Sequence, residues 1–132
     1  MKQDQKALKQ HYRETPRPLG VFQIRNLTNE KVFVSKSLDL PGSLNRHRFQ
    51  LQTGKHANAA LQQDWQTFGA TQFAFEILDE LTPREATAAE LRADLESLES
   101  CWLDQLQPFG ARGYNELPKS REERLQMIMR SM

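Results

Sequence analysis

The chain has a single cysteine, Cys101, no run of 18 apolar residues, no glycine-rich phosphate loop and no acidic residue between Asp39 and Asp64. One cysteine makes no internal disulfide and supplies no cysteine-rich metal site, which points to a half-buried thiol in a reducing, cytoplasmic setting. The missing apolar run excludes a membrane-spanning helix, and Lys2, Asp4, Lys6, Lys9 and Arg13 near the start do not suit a secretory leader. Without a glycine-rich loop, nucleotide-dependent chemistry has no support. What the 132 residues do have is 38% hydrophobic and 27% charged content, enough to bury the core of one domain.

The net charge of +1 hides a split. Residues 1–63 carry eleven Lys/Arg against four acids, a net of +7, whereas residues 79–105 carry eight acids against two arginines, a net of −6. Arg46, Arg48 and Lys55 fall in the acid-free stretch and join Lys31 and Lys36 as candidates for phosphate contact. A solvated basic face is the plainer reading of such a stretch.

Pro16 and Pro18 set off residues 1–18 as an arm, because proline bars a continuing helix. Residues 20–25 and 31–35 are β-rich and read as an antiparallel hairpin, with Asn29 able to take the left-handed turn conformation. Helix propensity follows Pro41-Gly42 and stops at Gly54, and a second helix over 58–68 carries Ala60, Leu61, Trp65 and Phe68. Residues 72–78 place Phe73, Phe75 and Ile77 on one face of a third strand. Leu91, Leu95, Leu98, Trp102 and Leu106 then make one stripe on a helix over 88–106. The expected fold is α/β of the α+β type: a three-stranded antiparallel sheet flanked by helices, ordered β-β-α-α-β-α. An amphipathic helical tail over 118–132, with Leu125, Ile128, Met129 and Met132 on one side, would meet its own domain, a protein partner or a second copy. The domain itself is placed at 19–117.

Several spaced elements resemble the GIY-YIG nuclease superfamily in one order. They are Gly20-Val21-Phe22, Phe33-Val34-Ser35, Asn45-Arg46-His47, Gly54-Lys55-His56-x-Asn58, Leu61-Gln62, Phe75-Glu76-Ile77-Leu78, Glu99-Ser100-Cys101-Trp102 and Gly113-Tyr114-Asn115. The similarity spans about residues 19–116 and is to the modules of phage and intron homing endonucleases, with the excision-repair incision subunit a more distant relative. It implies metal-dependent hydrolysis of a DNA phosphodiester by two tyrosines, an arginine, a histidine, a glutamate holding one Mg²⁺, and an asparagine. Carried across, the tyrosines fall on Phe22 and Phe33, the arginine on Ser43, the histidine on His47, the metal ligand on Glu99 and the asparagine on Asn115.

Three of the six positions therefore lack the chemistry the resemblance asks for. Phenylalanine has no hydroxyl to orient water or pass a proton, and serine brings no charge to a phosphate. Arg46, one turn beyond Ser43, is the candidate stand-in for the arginine. Glu99 sits beside the apolar stripe as the one candidate ligand for a weak Mg²⁺ site, and the histidine spacing does not suit zinc. The sequence thus leads to a DNA-binding nuclease-like domain with impaired cleavage. Its rivals are a working Mg²⁺ endonuclease using Arg46, His47 and Glu99, and a protein-interaction module using the terminal extensions.

Overall fold

The computed structural model describes residues 18–81 and 85–116. The expected arm and helical tail lie outside the described residues. Strands β1 (Gly20–Asn26), β2 (Val32–Ser37) and β3 (Phe73–Glu80) form an antiparallel sheet in the order β2-β1-β3. Between them come helices α1 (Leu40–Thr53) and α2 (Ala59–Phe68), and after them α3 (Ala88–Leu106). The expected order of elements is the observed one.

Alternation along β1 sorts side chains to two faces, as a two-residue period must. Phe22 and Ile24 point to one face and pack with Leu40 and Leu51 of α1, Leu61 and Trp65 of α2, Phe73 and Tyr114. Val21 points to the other, with Val32 and Val34, and meets Leu98, Trp102, Leu103 and Leu106 of α3. The sheet is thus the middle of three layers, with α1 and α2 on one side and α3 on the other. Leu95 is the deepest point of the predicted α3 stripe, and a capping box between Thr87 and Glu90 starts that helix.

Gly20 cannot carry a side chain: a Cβ there would lie 2.0 Å from the Asp79 carbonyl oxygen. The close approach accompanies a bulge, since Val21 pairs with Asp79 but Phe22 with Ile77, leaving Leu78 unopposed.

Several local expectations are corrected. Ile77 is 46% exposed, beside the bulge of the edge strand β3. Ala60 and Phe68 also face solvent, since only Leu61 and Trp65 of their stripe point at the sheet. In the hairpin Glu30, not Asn29, takes the left-handed conformation, while Asn29 Oδ1 accepts the Lys31 N–H. Cys101 is exposed, one residue off the α3 stripe.

Candidate functional site

The site forms where the end of β2 meets the start of α1. Asp39 caps that helix, and its own N–H is donated to Ser37 Oγ at 2.9 Å. Ser37 and Ser43 are buried and share a short hydroxyl–hydroxyl hydrogen bond. From one turn further, Arg46 Nη2 reaches back and donates to Ser43 Oγ at 3.4 Å. A guanidinium therefore stands beside the position Ser43 leaves without charge, though it enters from a different backbone site.

Phe22 is wholly buried and Phe33 half-buried, and His47 lies against both, its ring 5.2 Å from Phe22 and 5.7 Å from Phe33. His56 completes the group, 5.7 Å from Phe33 and edge-on to it. His56 lies in the loop between α1 and α2 and is buried there. Gly54 ends α1 in the left-handed conformation and turns the chain back, so His47 and His56, nine residues apart, come within hydrogen-bonding distance. His followed by Asn58, a helix cap, was the signal available in the sequence.

Hydrogen bonding assigns the tautomers of this pair. The Asn58 N–H donates to His56 Nδ1 at 3.0 Å, so that nitrogen is an acceptor and the ring proton sits on Nε2. His56 Nε2 then donates to His47 Nδ1 at 2.7 Å, which leaves the His47 proton on Nε2. Both rings are held neutral. Burial, the neighbouring His56 and the charge of Arg46 push His47 down to about 4, and burial lowers His56 as well. His47 is thus a hydrogen-bond donor at neutral pH and a poor proton acceptor.

A stability prediction arises here. The unfolded histidine protonates near its ordinary 6.5 while the folded His47 resists until about 4. The folded state holds fewer protons across that window, so stability is complete above pH 6.5 and falls as pH drops toward 4. Urea unfolding at pH 7.5 and pH 4.5 should differ by on the order of 1–3 kcal/mol, reduced from the full linkage because the ring is half-solvated. His47→Gln should flatten that dependence.

Asn115 does not face a reaction centre with its polar atoms. Its side chain clamps β2, accepting the Val34 N–H and donating to the Val34 carbonyl, both at 2.8 Å. Its neighbour Tyr114 is buried, accepts from Asn26 Nδ2 at 3.1 Å and donates to Asp64 at 2.7 Å. Burial and the Asp64 carboxylate push the Tyr114 phenol up to about 12, so it stays protonated and structural.

Glu99 projects from α3 to the far end of β2. One carboxylate oxygen accepts the Lys36 N–H at 3.1 Å, and the other lies 3.8 Å from the Lys36 ammonium. No group of three metal-capable side chains occurs among the described residues. A Mg²⁺ ion takes octahedral oxygen ligands, and a lone carboxylate already engaged by a lysine is a poor fit.

The five predicted phosphate contacts do not make one cluster. Lys36 and Arg46 line a cavity of about 390 Å³ with Ser37, Ser43, Leu95, Glu96 and Arg92, the last a cation the sequence reading did not single out. Arg48 stacks on Phe75 at 4.5 Å, and Lys31 lies over the Tyr114 ring at 5.8 Å. Lys55 is exposed just past the end of α1.

With α1 and α2 on one side of the sheet, α3 on the other, and the Phe22 and Phe33 rings against His47 midway along α1, the chain is similar in structure to the catalytic domain of a GIY-YIG homing endonuclease. The catalytic domain of the homing endonuclease I-TevI matches it at 29% identity and a TM-score of 0.63, over 76% of this chain and 99% of that one. A structure of the same catalytic domain, described as that of an intron endonuclease and carrying a glutamate-to-alanine substitution, matches at 27% identity and the same TM-score, over 78% of this chain and 97% of the other. No family model and no curated protein matches the chain. Among the described residues no helix is long and apolar enough to cross a membrane.

Proposed function

We propose that this domain binds DNA through its basic surface and does not hydrolyse it. The observation that carries the reading is the neutral His47–His56 pair packed against two rings without hydroxyls. His47, lowered to about 4 by burial, the neighbouring His56 and Arg46, is a weak base, and neither ring beside it carries a hydroxyl. Arg46, Arg48, Lys31 and Lys55 supply phosphate attraction with little base readout, Lys36 being engaged by Glu96 and Glu99. Likeness to a homing-endonuclease catalytic domain makes duplex DNA the favoured ligand. The exposed, unpaired Cys101 suits a reducing compartment such as the cytoplasm.

The direct test is anisotropy of a labelled duplex titrated with the full-length protein at several salt concentrations. Affinity should fall as salt rises, with a log–log slope of about −3 to −5 if roughly that many phosphates are neutralised. Arg46→Ala and Lys55→Ala should each weaken binding and shallow the slope by about 1. Absence of binding even at low salt sinks the reading.

A further inference from the structure

Lys36 holds Glu99 in a way that the family pattern does not account for. Its backbone N–H and its ammonium both address the Glu99 carboxylate, and the ammonium also lies 3.7 Å from Glu96. Glu96 and Glu99 are three residues apart on α3 and so share a face. An ammonium between two carboxylates is a compact single charge with three donors, and it fills the space in which a divalent cation needs bare oxygens.

Beside Lys36 opens the cavity of about 390 Å³. Arg46 enters it from α1 and Arg92 from α3. Among the described residues neither guanidinium meets a carboxylate, and the hydrogen bond that Arg46 makes is to a neutral hydroxyl. The lining also includes two carboxylates, Asp39, which caps α1, and Glu96, which faces the Lys36 ammonium; the two guanidinium groups and the Ser37 and Ser43 hydroxyls remain as donors suited to the oxygens of a phosphate group.

We propose that this is a metal-free phosphate pocket. Lys36 takes the place of a divalent cation at Glu99, and Arg46 and Arg92 receive a nucleic-acid phosphodiester from the two sides of the cavity. The ligand rests on the DNA-binding reading above; the lysine substitution does not.

Two measurements on the full-length protein separate those parts. In the first, Mn²⁺ alone is titrated and the free ion is followed by electron paramagnetic resonance. The unaltered protein should leave the signal of submillimolar Mn²⁺ unchanged. Lys36→Met should take up one ion with a dissociation constant of about 0.1–1 mM, and adding Glu99→Gln should abolish that uptake. Lys36→Gln repeats the test with a polar side chain, and circular dichroism checks that each variant is folded. Glu99-dependent uptake by the unaltered protein, or no uptake by either folded Lys36 variant, overturns the substitution.

In the second, the labelled duplex is bound in EDTA and in Mg²⁺. Affinity should be as high in EDTA as in Mg²⁺, and Arg92→Ala should weaken it about tenfold. If Lys55→Ala weakens binding but Arg92→Ala does not, the pocket assignment fails while the DNA-binding reading stands. If no duplex binds at all, that reading fails, taking the pocket's ligand with it, and the Mn²⁺ titration still decides the role of Lys36.

Discussion

Supercoiled plasmid incubated with the pure full-length protein and Mg²⁺ or Mn²⁺ is expected to stay intact over hours. A positioned general base contributes about 10²–10⁴ in rate, and a donor that stabilises developing charge contributes about 10²–10³. On the proposed reading both are lost, because Phe22, Phe33 and Ser43 stand where the resemblance places the two tyrosines and the arginine. Taken as independent they amount to roughly 10⁴–10⁷, or about 5–10 kcal/mol of barrier, and as a coupled unit to less. The neutral histidine pair does not restore the base, since His47 is held with its proton on Nε2. Arg46 restores some charge near Ser43, but charge alone replaces one contribution of two. Nicking that disappears in a Glu99→Ala control would overturn the assignment, whereas nicking that persists in the control reports contamination.

Tyr114→Ala is expected to cost about 4–5 kcal/mol, a large share of a typical domain's stability of about 5–15 kcal/mol. The ring belongs to the core cluster with Phe22, Ile24 and Trp65. Its hydroxyl accepts from Asn26, which is fully buried, so removing it orphans a donor in the core. Tyr114→Phe isolates that polar share and should cost about 1–2 kcal/mol. Urea unfolding of both variants gives the two values, and near-equal losses would show that the ring itself contributes little. The consequence reaches the site, because Tyr114 and Asn115 fasten the chain after α3 to the open edge of β2 and to α2: Asn115 clamps Val34, and the Tyr114 carbonyl accepts from Asn58, the cap of α2 and the residue that orients His56.

Strands, helices and their order were legible from short-range pattern. Alternation at Val21-Phe22-Gln23-Ile24, the Leu95–Leu98–Trp102 stripe and the stop at Gly54 are each decided by neighbours a few residues apart. The solvent-facing Ile77 was not legible, because an edge strand's bulge depends on its pairing with β1, which periodicity does not encode.

The amino-acid order by itself determined which groups Phe22, Phe33 and Ser43 carry, two rings without hydroxyls and one uncharged alcohol whatever the fold, since a side chain's functional group is fixed by covalent chemistry. Tertiary structure alone decided what the remaining groups do. It set His56 against His47 and thereby chose the tautomer, brought Arg46 and Arg92 to one cavity, and turned Lys36 from a surface cation into the partner of Glu99 across 63 residues of chain. Those roles come from distances of about 3–4 Å between segments remote in sequence, where hydrogen bonds and Coulomb attraction become strong enough to select a state.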